Sequence, residues 1–334
     1  MSYINVIYQS DNNYAPFMGV SIYSLLKNNV AVDNIEIYII DDDISEENKE
    51  KLINLANAYK RGIHFLNVSM ISALDEVKEF AKYTGARKNT HSFYKLFLTH
   101  LLSQDVHRIL YIDCDTLVTG SIEDVMNIDM GSNVIGMILD SLIYKGKEAI
   151  GLKEKDPYFN SGVILFDVDK WKENLCEKKI VNTIKQHGQY GTVDQDVLNV
   201  ALLGSIFTMP MEYNVQPHHL DFSIKTYFNA FPDRSDYYTP EEIAEAVKSP
   251  KILHFFRYLG KSPWDLRNYH PDRDIFDRYL SESPWCGFAK KDRPISFANK
   301  VEVALYRVLP KSLYFRIFIL FHERMIILSN RAKK

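Results

Sequence analysis

The stretch that decides the fold is Arg108–Gly120, RILYIDCDTLVTG. An apolar run there ends in two aspartates one residue apart, Asp113 and Asp115, with Thr116 next. A strand-end turn accounts for one aspartate, because its carboxylate can accept from nearby backbone. It accounts poorly for two, since paired carboxylates repel unless a cation or a proton sits between them. Two chemistries suit the letters DxDT. The pair can hold a divalent cation that carries a phosphate, or Asp113 can attack a phosphate with Asp115 as its acid/base partner.

The flanking segments alternate between strand and helix. INVIYQ (4–9), IEIYIID (35–41) and IHFLNV (63–68) read as strands. APFMGVSIYSLLKNN (15–29) has apolar residues near helical spacing, and SEENKEKLINLANAYK (45–60) is a helix that Ser45 can cap. A further helix is expected around 91–103, just before the strand that ends at Asp113. Downstream, NVIGMILD (133–140), FNSGVILFD (159–167) and KILHFF (251–256) are strand-like, and VDQDVLNVALL (193–203) is helical. This order predicts an α/β fold, a Rossmann-like, mostly parallel sheet with helices on both faces. Ligands of such sheets lie outside the carboxyl ends of the strands. Asp11, Asp41 and the Asp113/Asp115 pair all stand at such ends, where they can converge.

The 334 residues are enough for a substantial core, and no run approaches the ~20 apolar residues of a spanning helix. Three cysteines, Cys114, Cys176 and Cys286, show no CxxC spacing. The first residues read as a strand rather than a leader, so the expectation is a cytoplasmic, reducing location. The net charge of -3 hides an asymmetry. From Lys290 onward there are 11 Lys/Arg against 3 Asp/Glu, while the first 289 residues hold 29 against 40. An acidic body with a basic tail is not the distribution of a nucleic-acid binder. The expected parse is a catalytic domain over 1–289 and a basic amphipathic tail over 290–334.

Each candidate site has an ordinary reading beside the functional one. Mg²⁺ and Mn²⁺ take hard ligands in six-fold geometry, and two carboxylates leave room for a diphosphate. His254 alone is most simply a packed histidine, although an imidazole in the shell favours Mn²⁺. In SDNNYA (10–15), Asp11 and Asn13 suit a helix cap; equally, they can bond a nucleoside edge while Tyr14 stacks on its base. DDD (41–43) and HHLD (218–221) read as loops.

Six segments, in order, carry a resemblance: SDNNYA, SFYKLFL (92–98), LYIDCDTLV (110–118), YFNSGVILFD (158–167), VDQDVLN (193–199) and ILHF…GKSPW (252–264). Together they resemble the family 8 retaining glycosyltransferases, over residues 3 to about 265. The resemblance implies a GT-A fold, a UDP-sugar donor carrying galactose or glucose, Mn²⁺ with Mg²⁺ as the alternative, and a saccharide acceptor. By motif it makes Asp113, Asp115 and His254 the metal ligands, and Asp11, Asn13 and Tyr14 the uridine contacts. Asp140, Asn160 and Asp194 match groups that hold the donor sugar, and Gln195 matches the amide on its reactive face. Lys95 stands where the family commonly has Arg, which loses the bidentate fork. The segment H-x-x-G-x-x-K-P-W reads here HFFRYLGKSPW, with Arg257 at the glycine position and Lys261 displaced; Lys261 is assigned to the diphosphate. Gln195 is a poor nucleophile, so front-face attack by the acceptor is expected, with Asp194 as the alternative nucleophile. Two readings of other classes stand beside this one: a haloacid-dehalogenase-type phosphatase and a non-catalytic membrane-associated scaffold.

The tail interleaves large apolar residues with Lys300, Arg307, Lys311, Arg316 and Arg324, and Pro310 divides it. One reading is a helix packed on the domain, or a homodimer contact. The other is an interfacial anchor on an anionic membrane surface, peripheral on the inner face of the cell membrane.

Overall fold

The computed structural model describes the chain except residues 1, 73, 85–89, 143–144, 189, 232–233, 235 and 332–334. Its centre is a seven-stranded sheet of order β3-β2-β1-β4-β7-β6-β8. The strands are β1 (Tyr3–Asp11), β2 (Asn34–Asp42), β3 (Gly62–Asn67), β4 (Arg108–Ile112), β6 (Ile135–Leu139), β7 (Phe159–Asp167) and β8 (Ile206–Thr208). All run parallel except β7, which is antiparallel to both β4 and β6. The two remaining strands, β5 (Thr116–Val118) and β9 (Ile252–His254), form a separate antiparallel ribbon. The expected mixed, mostly parallel α/β sheet is therefore observed.

The local reasons are visible. β6 is apolar along its length and all five of its residues are buried, as are the four of β4 that follow Arg108, the pattern of strands covered on both faces. Helix Ala15–Asn28 starts at a proline and turns its apolar side to the core. Its Ser21 and Ser24 reach the other way and grip β5, Ser21 Oγ lying 2.9 Å from Thr116 Oγ1 and Ser24 Oγ accepting from Val118 N at 2.8 Å. Helix Glu46–Ala58 is capped by Ser45, as its sequence indicates.

Three segments differ from expectation. Residues 90–100 form 3₁₀ turns broken at Phe97 (φ -121°, ψ 16°) in place of a regular helix. Residues 93–99 are all buried, so no single stripe faces the core and no amphipathic helix is selected. HHLD lies in a short helix, Pro217–Asp221, with His218 and His219 buried. Burial pushes both imidazoles well down, His219 to about 3, so they pack as neutral rings. Asp41 does not converge with the DxD pair; it accepts from Ile44 N and pairs with Lys49 at 2.8 Å.

The tail forms two helices, Phe297–Val308 and Lys311–Arg331, divided at Pro310 as expected. They lie on the body. Phe315 is fully buried and stacks on Phe222 at 4.0 Å, while Lys311 pairs with Asp221. Glu323 accepts from Lys145 N and Asn330 from Gly191 N. The first tail residues are strapped down as well, Leu266 N donating to Lys291 O and Arg293 pairing with Asp265. Among the described residues no helix is long and apolar enough to cross a membrane.

Candidate active site

The carboxyl ends of β4 and β6 and the start of β7 meet at one end of the sheet. Beyond β4 the chain passes Asp113 and Asp115 and enters β5, whose partner β9 places Thr116 opposite His254. Phe255 N donates to Asp115 O at 2.6 Å, which locks the ribbon at that point. His254 Nε2 thus stands 3.3 Å from Asp115 Oδ1 and 3.9 Å from Asp113 Oδ2. One ligand atom from each of the three lies within 4.8 Å of the others. Two carboxylates and an imidazole suit a divalent cation of the Mn²⁺ class.

The surroundings prepare these groups. His254 Nδ1 faces Asn214 Oδ1 at 3.1 Å, which puts the ring proton on Nδ1 and leaves Nε2 for a metal. Asn214 is itself oriented, donating through Nδ2 to Asn160 Oδ1 at 2.9 Å. Tyr111 donates to Asp113 Oδ1 at 2.6 Å. Burial pushes the Asp113 carboxyl up, and nearby Lys95 only partly offsets this, with Asp115 adding to the rise. For Asp115 burial also acts upward, but His254, a backbone hydrogen bond and Lys95 together outweigh it and hold this carboxyl low. Burial would push His254 down, yet the two carboxylates win and raise it.

Gly162 is what lets the ring sit here. A Cβ at this position would stand 2.2 Å from His254 Cε1, and Gly162 O accepts from Asp113 N at 2.8 Å. The register of β6 against β7 shifts between Met137 and Ile138, where Asn160–Gly162 swings out towards the site.

Opposite the cation cluster is a polar wall. Asn160 donates to Asp140 Oδ2 (3.2 Å), and Gln195 Nε2 donates to the same oxygen (3.2 Å) and to Tyr158 Oη (3.1 Å). Gln195 Oε1 accepts from Ser161 N at 3.1 Å. Asp194, at the start of helix Val193–Ala201, binds Lys95 Nζ at 2.7 Å and Ser161 Oγ at 3.0 Å. Lys95 is fully buried over the Tyr111 ring, 3.6 Å from Asp113, and ties the two halves of the site together. Its burial would lower its pKa, but Asp113 and Asp194 more than compensate. A cavity of about 410 Å³ is lined by Lys95, Asp113, Asp115, His254, Asp140, Asn160, Asp194 and Gln195, and also by His322 and Ile326 of the tail.

The remaining expected residues lie outside that lining. Asp11 accepts from Tyr14 N at 2.9 Å and from Asn13 Nδ2 at 3.3 Å, so it closes the turn that leads into the first helix. Tyr14 is partly exposed and meets Trp264 edge-on at 5.9 Å; burial and then Asp115 raise its phenol, which places it on the rim by the DxD pair. Lys261 does not reach the cavity. Its ammonium binds Asp292 Oδ1 (2.9 Å) and Arg293 O (2.5 Å), at the start of the tail. Arg257 is the exposed cation on that segment. Sequence reasoning missed Tyr111, Tyr158, Gly162, Asn214, His322 and Ile326. Only Gly162 carried a local sign, as a glycine inside a strand pattern, which marks close approach.

With this geometry in view, the comparisons with known proteins agree. The family model described as "Glycosyl transferase family 8" matches residues 5–266, and the chain belongs to this family. General stress protein A of Bacillus subtilis (strain 168) is 26% identical over 286 residues, covering 84% of this chain and 94% of that protein. The lipopolysaccharide 1,2-glucosyltransferase of Escherichia coli (strain K12) is 28% identical over 306 residues, covering 90% and 82%. The crystal structure of galactosyltransferase LgtC with donor and acceptor sugar analogues superposes with a TM-score of 0.68 at 21% identity, over 85% of this chain and 99% of that one. The shared GT-A fold follows from this likeness.

Proposed function

We propose that this enzyme transfers a hexose, galactose or glucose, from a UDP-sugar to a hydroxyl of a cell-surface saccharide, with retention and with Mn²⁺. The observation that carries the reading is the Asp113–Asp115–His254 cluster facing the Asp140–Asn160–Asp194–Gln195 wall across one cavity. Carboxylates with an imidazole presented through Nε2 fit a divalent cation, which when bound would neutralise charge on a departing diphosphate. Asp11, Asn13 and Tyr14 at the rim would take the uridine, Tyr14 by stacking. Asp140 and Asn160 would bond donor-sugar hydroxyls.

Attack from the front face is supported by how the wall is tied. Both ends of the Gln195 amide are already hydrogen-bonded, and the Asp194 carboxylate is held by Lys95 and Ser161. The amide is thereby fixed in place and is a poor nucleophile, while both bonds to Asp194 fall on its Oδ2 and orient that carboxylate towards Lys95. The acceptor hydroxyl would enter on the face the UDP leaves, passing its proton to the departing phosphate oxygen. The names of the relatives, a lipopolysaccharide glucosyltransferase and a galactosyltransferase, favour a hexose and a glycan acceptor. A screen of UDP-sugars for slow Mn²⁺-dependent hydrolysis, which needs no acceptor, tests the donor. Turnover of UDP-galactose or UDP-glucose is expected; no turnover of any UDP-sugar contradicts the reading.

The tail has a second role in this account. Its inner residues face the body, but Leu313, Leu320, Phe321, Met325 and Leu328 are exposed on the other side of helix Lys311–Arg331, with Arg316 and Arg324 among them. Helix Phe297–Val308 likewise exposes Phe297, Val301 and Val308 beside Lys300 and Arg307. Apolar residues flanked by cations suit an anionic lipid surface, so the enzyme would sit peripherally on the inner face of the cell membrane.

A further inference from the structure

On its β8 side the ladder of β6 stops at Met137, yet Leu139, Asp140 and Ser141 beyond it are all buried. Buried backbone groups need partners, and here the side chains of one segment, 216–238, supply them. Gln216 brackets the turn, Nε2 donating to Leu139 O (3.0 Å) and Oε1 accepting from Ser141 N (2.8 Å). Tyr227 Oη donates to Ser141 O at 2.8 Å. The Asp140 carbonyl is taken by Arg234, whose Nη2 donates to it at 3.0 Å while Nη1 donates to Tyr227 Oη at 3.0 Å.

Arg234 is the costly member of this set. Its side chain is only 1% exposed, and a guanidinium leaves water at a penalty that apolar residues of similar volume do not carry. Asp236 lies 4.0 Å from its Nε, and the Tyr237 ring lies 3.9 Å beneath it, so the charge is accommodated. Packing alone does not call for an arginine here. What it holds is the backbone of the residue at the centre of the polar wall. Asp140 Oδ1 accepts from Leu142 N (2.9 Å), and Oδ2 is the oxygen to which both Asn160 and Gln195 donate. A shift of the Asp140 carbonyl therefore moves Oδ2, and with it the Gln195 amide. Phe315 of the tail closes the same cluster from outside, 5.9 Å from both the Tyr227 and the Phe231 ring.

We propose that Arg234 is a positioning residue of the transfer reaction, acting through the Asp140 carbonyl to set the carboxylate and the amide that face the donor sugar. It does so from behind the site, since the cavity lining includes Asp140, Asn160 and Gln195 but not Arg234. The proposal rests on the transferase reading above and deepens it: the geometry of the sugar-binding wall is set by a buried cation of another segment.

Kinetics of Mn²⁺-dependent UDP-hexose hydrolysis, paired with calorimetry of UDP and Mn²⁺, tests this on the full chain. Arg234→Met keeps the length of the side chain and makes neither bond. It should lower kcat by about 10–100-fold, the range for loss of one charged hydrogen bond. Its affinity for UDP with Mn²⁺ should be unchanged, because uridine and diphosphate are bound at the rim and at the cation, away from Asp140. Tyr227→Phe keeps its ring in the cluster and loses the bond to Ser141 O. It should also lower kcat without changing UDP affinity, and it decides the matter if Arg234→Met does not fold. Wild-type kcat in a folded Arg234→Met variant overturns the proposal, as does wild-type kcat in Tyr227→Phe where that variant decides. A fall in UDP affinity as large as the fall in kcat overturns it too, because that marks a site that has merely loosened. A wild-type protein that hydrolyses no UDP-sugar faults the donor reading itself, and this proposal falls with it.

Discussion

His254 takes its meaning from Asn214. The amide oxygen holds the Nδ1 proton, so Nε2 points its lone pair at Asp113 and Asp115. Asn214→Leu should therefore lower Mn²⁺ affinity by about 10–100-fold, the usual range for such an outer partner. Gly162→Ala should do the same by pushing the imidazole aside, since its Cβ would collide with the ring. Calorimetric titration with Mn²⁺ checks both, and wild-type affinity in both variants would show that the ring is not a ligand. The pH dependence has a definite sign. The carboxylates raise the His254 pKa above its ordinary value, and the Asp113 carboxyl is raised too, by burial above all. A cation must displace those protons, so affinity should fall as pH drops through this raised range and level off above it. A titration series across about pH 5–8 that gave a constant affinity would contradict the assignment.

At this scale the site was legible wherever a motif named its own residue. Asp113, Asp115, His254, Asp140, Asn160, Asp194 and Gln195 stand around one cavity as their segments suggested. Lys95 was legible as a site residue; its role as a buried tie between Asp113 and Asp194 was not. The partner that Lys261 takes, Asp292, was not legible, because it lies 31 residues further on in a stretch that shares no motif with it. Asn214, Tyr111 and Tyr158 act through hydrogen bonds to other segments, and no spacing in the chain announces such bonds.

Among the elements, the long strands and capped helices were legible from periodicity, and two of the three shortest strands were not. β5 and β8 have three residues each, too few for any alternation to register. Yet β5 is the piece that sets Asp115 beside His254. The tail was legible as two helices parted by Pro310, but which side of each helix faces the body is a matter of tertiary contact. Tyr314, Phe315 and Ile319 form the inner edge, and Phe315 closes on Phe222, Tyr227 and Phe231. Phe315→Ala should destabilise the protein by about 3–5 kcal/mol, as for other buried phenylalanines. Denaturant unfolding measures this, and a loss under about 1 kcal/mol would mean the helix is not docked as described.

For the whole molecule, charge is unevenly divided between body and tail. The body is acidic and holds the cation cluster, whereas the segment from Lys290 is basic and covers a groove beside it. If the outer face of the tail meets lipid, full-length protein should sediment with anionic vesicles at low salt, each nearby cation contributing about 1 kcal/mol. The double substitution Leu320→Asp and Phe321→Asp, on exposed positions, should release it. Full-length protein that ignores such vesicles would leave the exposed stripe without this role.

The central claim is cation-dependent transfer with retention at one site, and proton NMR of UDP-hexose turnover tests it most directly. UDP-galactose and UDP-glucose carry the sugar α-linked, so the account predicts that the first hexose released is the α-anomer. It also predicts that release requires Mn²⁺ and disappears in a folded Asp115→Asn variant. Release of the β-anomer first, or undiminished turnover in that variant or in excess chelator, would contradict it.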